Sequence, residues 1–194
     1  MKTIFEQGSF SAYSNIRLDE ARTSIAENYQ FAQAKTTVFI SHKHDELDDL
    51  KGVLGFLEKN YSVKVYVDSQ DTSLPRITSA ETASQIKQRI EKCDKFIFLA
   101  TDGAIASNWC NWELGYGDSK KYSSHIALFP MKPAGKSDYS YTGSEYMSIY
   151  PYISYFDGSE KYTSGNLIKQ GYYVRTITKD GNFITQLADW FSKR

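Results

Sequence analysis

The chain has 194 residues, with 23 basic side chains balanced by 23 acidic ones. That length suits one well-buried domain rather than two, and the balanced charge lacks the basic footprint of a nucleic-acid binder. No run approaches the roughly 20 apolar residues of a membrane span, and the start MKTIFEQGSFSAYSN lacks the apolar block of a signal peptide. Cys93 and Cys110 form no spaced framework, which points to a reducing cytoplasm with both thiols as small core residues.

In chain order, Leu18, Ala21, Ile25, Tyr29 and Ala32 predict a helix, taken as an N-terminal extension over residues 1–35 that precedes a domain over 36–194. TTVFIS is a short β-branched and aromatic run. It is followed by a helical stripe of Leu47, Leu50, Val53, Leu54 and Leu57, and then by the strand VKVYVD ending at Asp68. Strand, helix, strand is the order that builds a parallel sheet. Residues 69–81 read as a loop with Pro75, and Thr78 with Glu81 forms a capping box for a helix that turns Ala83, Ile86, Ile90 and Cys93 inward. KFIFLAT is apolar enough for a central parallel strand. The helix carrying SNWCNWELGYG follows, then the strand HIALFPMK and a Tyr-, Ser- and Gly-rich region at 134–150, read as a decorated loop. The last strand is either YPYISYF or YYVRTIT, and NFITQLADWFSK closes the chain as an amphipathic helix.

In an open parallel sheet, ligands bind outside the carboxyl ends of the strands. Candidates are therefore Ser41, His42 and Lys43 after the first strand, Asp68 to Asp71 after the second, and Thr101 to Asn108 after the third. Glu113 falls on the same rim. Trp109 and Glu113, four residues apart, share a helix face and suggest an aromatic wall beside a carboxylate; the alternative is an ordinary amphipathic helix with an aromatic core face. His42 and His44 have only His125 as a further imidazole, too few for a metal centre. No G-x-S-x-G elbow appears. Gly115 and Gly117 lie inside a helix instead of opening one as a dinucleotide loop does. A phospho-acceptor receiver domain needs an acidic pair where this chain has Ser41, His42 and Lys43.

TTVFISHKHDE at 36–46, DTSLPRITSAE at 71–81 and SNWCNWELG at 107–115, with its W-x-x-x-E spacing, resemble the TIR (Toll/interleukin-1 receptor) domain in its bacterial form. The resemblance covers about residues 36 to 130 well and the remainder loosely. It implies a flavodoxin-like, three-layer α/β fold with a five-stranded parallel sheet; the N-terminal helix and the Tyr-rich region depart from the common pattern. Some members of the family are adaptors and others cleave NAD+. In the enzymes the helix glutamate is catalytic, which maps onto Glu113, with Trp109 as the tryptophan of the motif.

The resemblance further implies that Phe39, Ser41, His42, Lys43, Asp68, Trp109 and Trp112 flank the substrate. NAD+ would then be the substrate, with no resident cofactor or metal. Bacterial members are often the signal producers of Thoeris-like antiphage systems, making ADP-ribose or cyclic ADP-ribose isomers for a separate effector. Self-association is expected through Leu74, Pro75, Arg76 and Ile77, whose mix of stiffness, apolar surface and a guanidinium fork suits a partner; the alternative is that Leu74 and Ile77 fold back onto their own domain. The competing expectation is a non-catalytic interaction module.

Overall fold

The computed structural model describes residues 1–14, 35–67, 79–121 and 123–193. The expected N-terminal helix, Asp68 and the loop residues Leu74, Pro75, Arg76, Ile77 and Thr78 lie outside the described residues.

Eight strands are present among the described residues: β1 (Phe5–Glu6), β2 (Thr37–Ser41), β3 (Lys64–Tyr66), β4 (Lys95–Ala100), β5 (Ile126–Lys132), β6 (Tyr152–Phe156), β7 (Gly171–Thr178) and β8 (Gly181–Gln186). The helices are α1 (Leu47–Tyr61), α2 (Ala80–Lys92), the short turn α3 (Asp102–Ile105), α4 (Asn108–Lys120), α5 (Ser144–Ile149) and α6 (Leu187–Ser192). The sheet order is β3-β2-β4-β5-β6-β7-β8. Its first five strands are parallel, and β7 and β8 extend it antiparallel. The parallel part is the flavodoxin-like doubly wound order, which reverses direction between β2 and β4.

Residue alternation along the strands builds the three layers. Val38, Ile40, Ile97, Leu99, Ala127 and Phe129 face one way, onto Leu50, Val53 and Leu57 of α1 and Trp190 and Phe191 of α6. Phe39, Phe96, Phe98, Ile126 and Leu128 face the other, onto Ile86 and Ile90 of α2 and Cys110 and Leu114 of α4. Residues 1–14 are not set apart: Phe5 and Phe10 belong to the first of these cores, and β1 pairs in parallel with the end of β5.

Several local expectations change. Leu47 begins α1 at the surface, 42% exposed, and the buried stripe starts only at Leu50. Ser79, not Thr78, caps α2, its hydroxyl accepting from the Thr82 backbone N–H. Both candidates for the last strand are strands, β6 parallel and β7 antiparallel. The expected C-terminal helix is β8 over its first part and α6 only from Leu187. There the pairing offered by β7 across a short turn overrides a helical spacing that holds for only six residues. The Tyr-rich region contains α5 and a 3-10 turn at Asp138–Ser140 instead of an irregular loop.

Candidate active site at the carboxyl edge of the sheet

Ser41 is the last residue of β2, and the sheet register places it beside Phe98 of β4. Its pleat points the side chain toward the α4 layer, where the hydroxyl donates a 2.5 Å hydrogen bond to Glu113 Oε2. α4 is started by Ser107, whose hydroxyl accepts from the Cys110 backbone N–H. One helical turn separates Cys110 from Glu113, so both face the sheet. The Cys110 thiol donates to the carbonyl of His42 at 3.2 Å. The chain leaving β2 is thus tied to α4 at two successive residues, Ser41 and His42.

Glu113 is 1% exposed. The sequence places it on an open rim; the structure puts it inside, because α4 packs its Cys110, Glu113 and Leu114 side directly on the sheet. The aromatic wall expected beside it is arranged differently as well. Trp109 stacks on Trp112 with ring centroids 4.8 Å apart, and Trp112 on Tyr116 at 6.2 Å. Lys87 of α2 lies over both Trp112 and Tyr116. The three rings form a half-buried ladder along α4 toward α2. Phe39 is fully buried between Tyr66 and Phe96, 5.6 and 5.5 Å away, and packs in the core of the α4 side. The alternation that brings Ser41 to Glu113 also turns Phe39, two residues earlier, into the packed layer.

His42 is buried and its ring stacks on that of the exposed His44, centroids 5.6 Å apart. Lys43 approaches Asp45 at 4.0 Å. Among the described residues, no group of three or more His, Cys, Asp or Glu is disposed to hold a metal ion.

Glu46, which the sequence does not single out, and Thr101, one of the candidates after the third strand, complete the rim. Glu46, the last residue before α1, accepts a short hydrogen bond on Oε2 from the Thr101 hydroxyl at the end of β4. Thr101 itself caps α3, accepting from the Ala104 N–H at 3.0 Å. Burial raises the Glu46 carboxyl above the ordinary carboxylate range, Asp45 and Asp49 add to the rise, and the Thr101 bond and Lys43 oppose it. In the sequence Glu46 is hidden in an acidic run, D-E-L-D-D, where each member reads as a solvated helix start.

The Tyr-rich region buttresses this edge. The Tyr141 hydroxyl donates to the Ala100 carbonyl at 2.7 Å, and Thr142 to Asp102 at 2.7 Å. The Tyr146 hydroxyl donates to Asn111 Oδ1, whose amide in turn donates to the Ile105 carbonyl. α3 and α4 are held in place by these bonds, three donated by a phenol or hydroxyl and one by the Asn111 amide.

A model of the TIR domain matches residues 38–166, more than half of the chain. The chain belongs to the TIR domain family. This TIR domain is 33% identical over 119 residues to a protein of Bacillus cereus (strain MSX-D12) named as a probable 3' cyclic ADP-D-ribose synthase, ThsB'. The match covers 60% of this chain and 60% of that protein. It is also 33% identical over 82 residues to a Cytobacillus dafuensis protein named TIR2, a candidate cyclic ADP-D-ribose synthase, covering 41% of this chain and 21% of that protein. The TIR domain therefore spans less than two thirds of the length of either relative. Among the described residues no helix is long and apolar enough to cross a membrane.

Proposed function

We propose that this TIR domain cleaves NAD+ at the bond between nicotinamide and ribose and passes the ribosyl carbon to an acceptor, with Glu113 as the catalytic carboxylate. The preferred acceptor is a hydroxyl of the same molecule, giving a cyclic ADP-ribose isomer; water gives ADP-ribose. The single observation that carries this reading is the Glu113 carboxyl, buried and gripped by Ser41 at the carboxyl edge of a doubly wound sheet. The names of the two relatives, a probable and a candidate synthase of cyclic ADP-D-ribose, support the choice of product.

The chemistry asks little of the protein. Nicotinamide leaves as a neutral molecule from a cationic ring, so no general acid is needed, unlike ordinary glycoside hydrolysis with its acid and its nucleophile or base. What remains is charge stabilisation of an oxocarbenium-like ribose, and a carboxylate away from water acts more strongly there than one in solvent. Trp109 and Trp112 then shape the helix wall near the leaving nicotinamide. Self-association through residues 71–78, and a role as producer of a defence signal read by a separate effector, belong to the same proposal. Specific activity that rises with protein concentration is the check on the first of these.

The test is to incubate the purified protein with NAD+ and separate the products by chromatography, with and without extract from phage-infected cells to supply any activator. Nicotinamide should appear in step with NAD+ loss, and Glu113→Gln should lower turnover by about 10²-fold or more. NAD+ that stays intact under both conditions, or turnover indifferent to Glu113→Gln, would overturn the reading in favour of an interaction module.

A further inference from the structure

The crevice of a doubly wound sheet opens where the strand order reverses, and here that point lies between β2 and β4. Two carboxyl groups are anchored at the strand ends on either side of that point. Glu113 reaches it from α4 through Ser41, the last residue of β2. Glu46 reaches it from the loop after the same strand and is bonded to Thr101, the first residue after β4. A single six-residue stretch, 41–46, therefore carries the anchor of one carboxyl at its start and the other carboxyl at its end, and the Cys110 bond to His42 fixes the stretch in between.

The two oxygens of Glu46 are in different situations. Oε2 is anchored by the Thr101 hydroxyl, and Oε1 lies above Gly103 at the start of α3, where a Cβ would collide with it. Only a glycine leaves this carboxyl its position. Among the described residues, the groups that act on it are Lys43 and Asp45 from its own loop, Asp49 from α1, and the uncharged Thr101 hydroxyl from the β4 side. Asp49 is itself occupied, accepting from the Gln7 side chain and the Gly8 N–H of the N-terminal segment.

We infer that Glu46 is the general base of the acceptor step, taking the proton from the hydroxyl that attacks the ribosyl carbon. This rests on the reading of NAD+ cleavage above. The bond from the ribose anomeric carbon to the nicotinamide nitrogen breaks, and its electron pair stays on the nitrogen. A lone pair of the acceptor hydroxyl forms the new carbon–oxygen bond. The hydroxyl proton passes to Glu46 Oε1 and from there to solvent, which the half-buried side chain still meets. A carboxyl raised by burial is a better base near neutral pH than an ordinary one, since the most effective base has a pKa near the working pH. Glu113, one oxygen on Ser41 and buried, stabilises charge; Glu46, near solvent, moves the proton.

The experiment is steady-state nicotinamide release across about pH 5 to 9 for the wild type, Glu46→Gln and Thr101→Val. Wild-type turnover should fall on the acid side as Glu46 protonates. Glu46→Gln should lower kcat by about 10²-fold with little change in KM, and abolish that acid limb. Thr101→Val removes the hydroxyl that favours the carboxylate, so its acid limb should move to higher pH. Glu46→Gln with wild-type turnover, or with a loss uniform in pH and the acid limb intact, overturns the inference. If Glu46→Gln does not fold, an acid limb unmoved in Thr101→Val overturns it instead. The two proposals fail differently. A wild type that releases no nicotinamide removes the reading of NAD+ cleavage, whereas release abolished by Glu113→Gln and indifferent to Glu46→Gln removes only the base.

Discussion

Replacing Ser41 by alanine isolates the contact on which the site is built. Ser41 is fully buried and its hydroxyl donates to Glu113 Oε2 at 2.5 Å, so the bond is made away from solvent. A hydrogen bond to a charged acceptor is worth about 1.5–3 kcal/mol, and the loss falls on a carboxyl that is itself buried. For a domain of this size each kcal/mol moves the thermal midpoint by roughly 2–4 °C, so Ser41→Ala should lower it by roughly 3–12 °C. Glu113→Gln should cost less, about 1 kcal/mol, because the amide oxygen still accepts from Ser41. The decisive measurement is the double variant. In denaturant unfolding, the two changes should be non-additive by about 1–2 kcal/mol, because once Glu113 is neutral the serine has a weaker bond to lose. Effects that add to within about 0.5 kcal/mol would refute the contact as the organising bond of the site.

Lys95 opens β4 with its ammonium 1% exposed and 5.0 Å from the face of Trp190, and burial brings it down to about 8 from 10.5. The unfolded chain then holds a proton that the folded one lacks between those values, so this group's contribution to stability is least favourable below pH 8 and improves as pH rises to 10.5. Lys95→Met should therefore stabilise the protein at pH 7 by about 1–3 kcal/mol, an advantage that shrinks above pH 8; an advantage constant with pH would contradict it. Gly103→Ala should displace Glu46 and lower nicotinamide release as Glu46→Gln does, with unfolding free energy changed by no more than about 1 kcal/mol, since the collision is with the end of a flexible side chain. Gly143→Ala meets the Tyr141 ring and Ile105 Cδ1, the latter at 2.7 Å, and should destabilise by about 1–3 kcal/mol on the same measurement. Nicotinamide release should survive a chelator, because His42 and His44 lack the further ligands of a closed site; loss restored by zinc would refute this.

The chain's own pattern determined the parallel sheet and the position of Glu113. Short β-branched runs alternating with 3.6-period stripes leave few arrangements, and W-x-x-x-E falls where a helix leaves the third parallel strand. These are local signals, written within 10 or 15 residues, and they survive folding because burial rewards the same periodicity that displays them. Tertiary structure decided what each rim residue touches. Whether Glu113 faces solvent or Ser41 depends on which side of α4 lies on the sheet, and that is set by Cys110 and Leu114 packing against strands brought together from distant parts of the chain. The fate of Phe39 as core, the switch of residues 181–186 from an expected helix to β8, and the pairing of Glu46 with Thr101 across 55 positions all depend on neighbours far away in sequence. Glu46 reads as one more solvated acid until β2 and β4 lie side by side. Only then does the reversal of strand order bring Glu46 against Thr101 and make it the second carboxyl anchored at this edge.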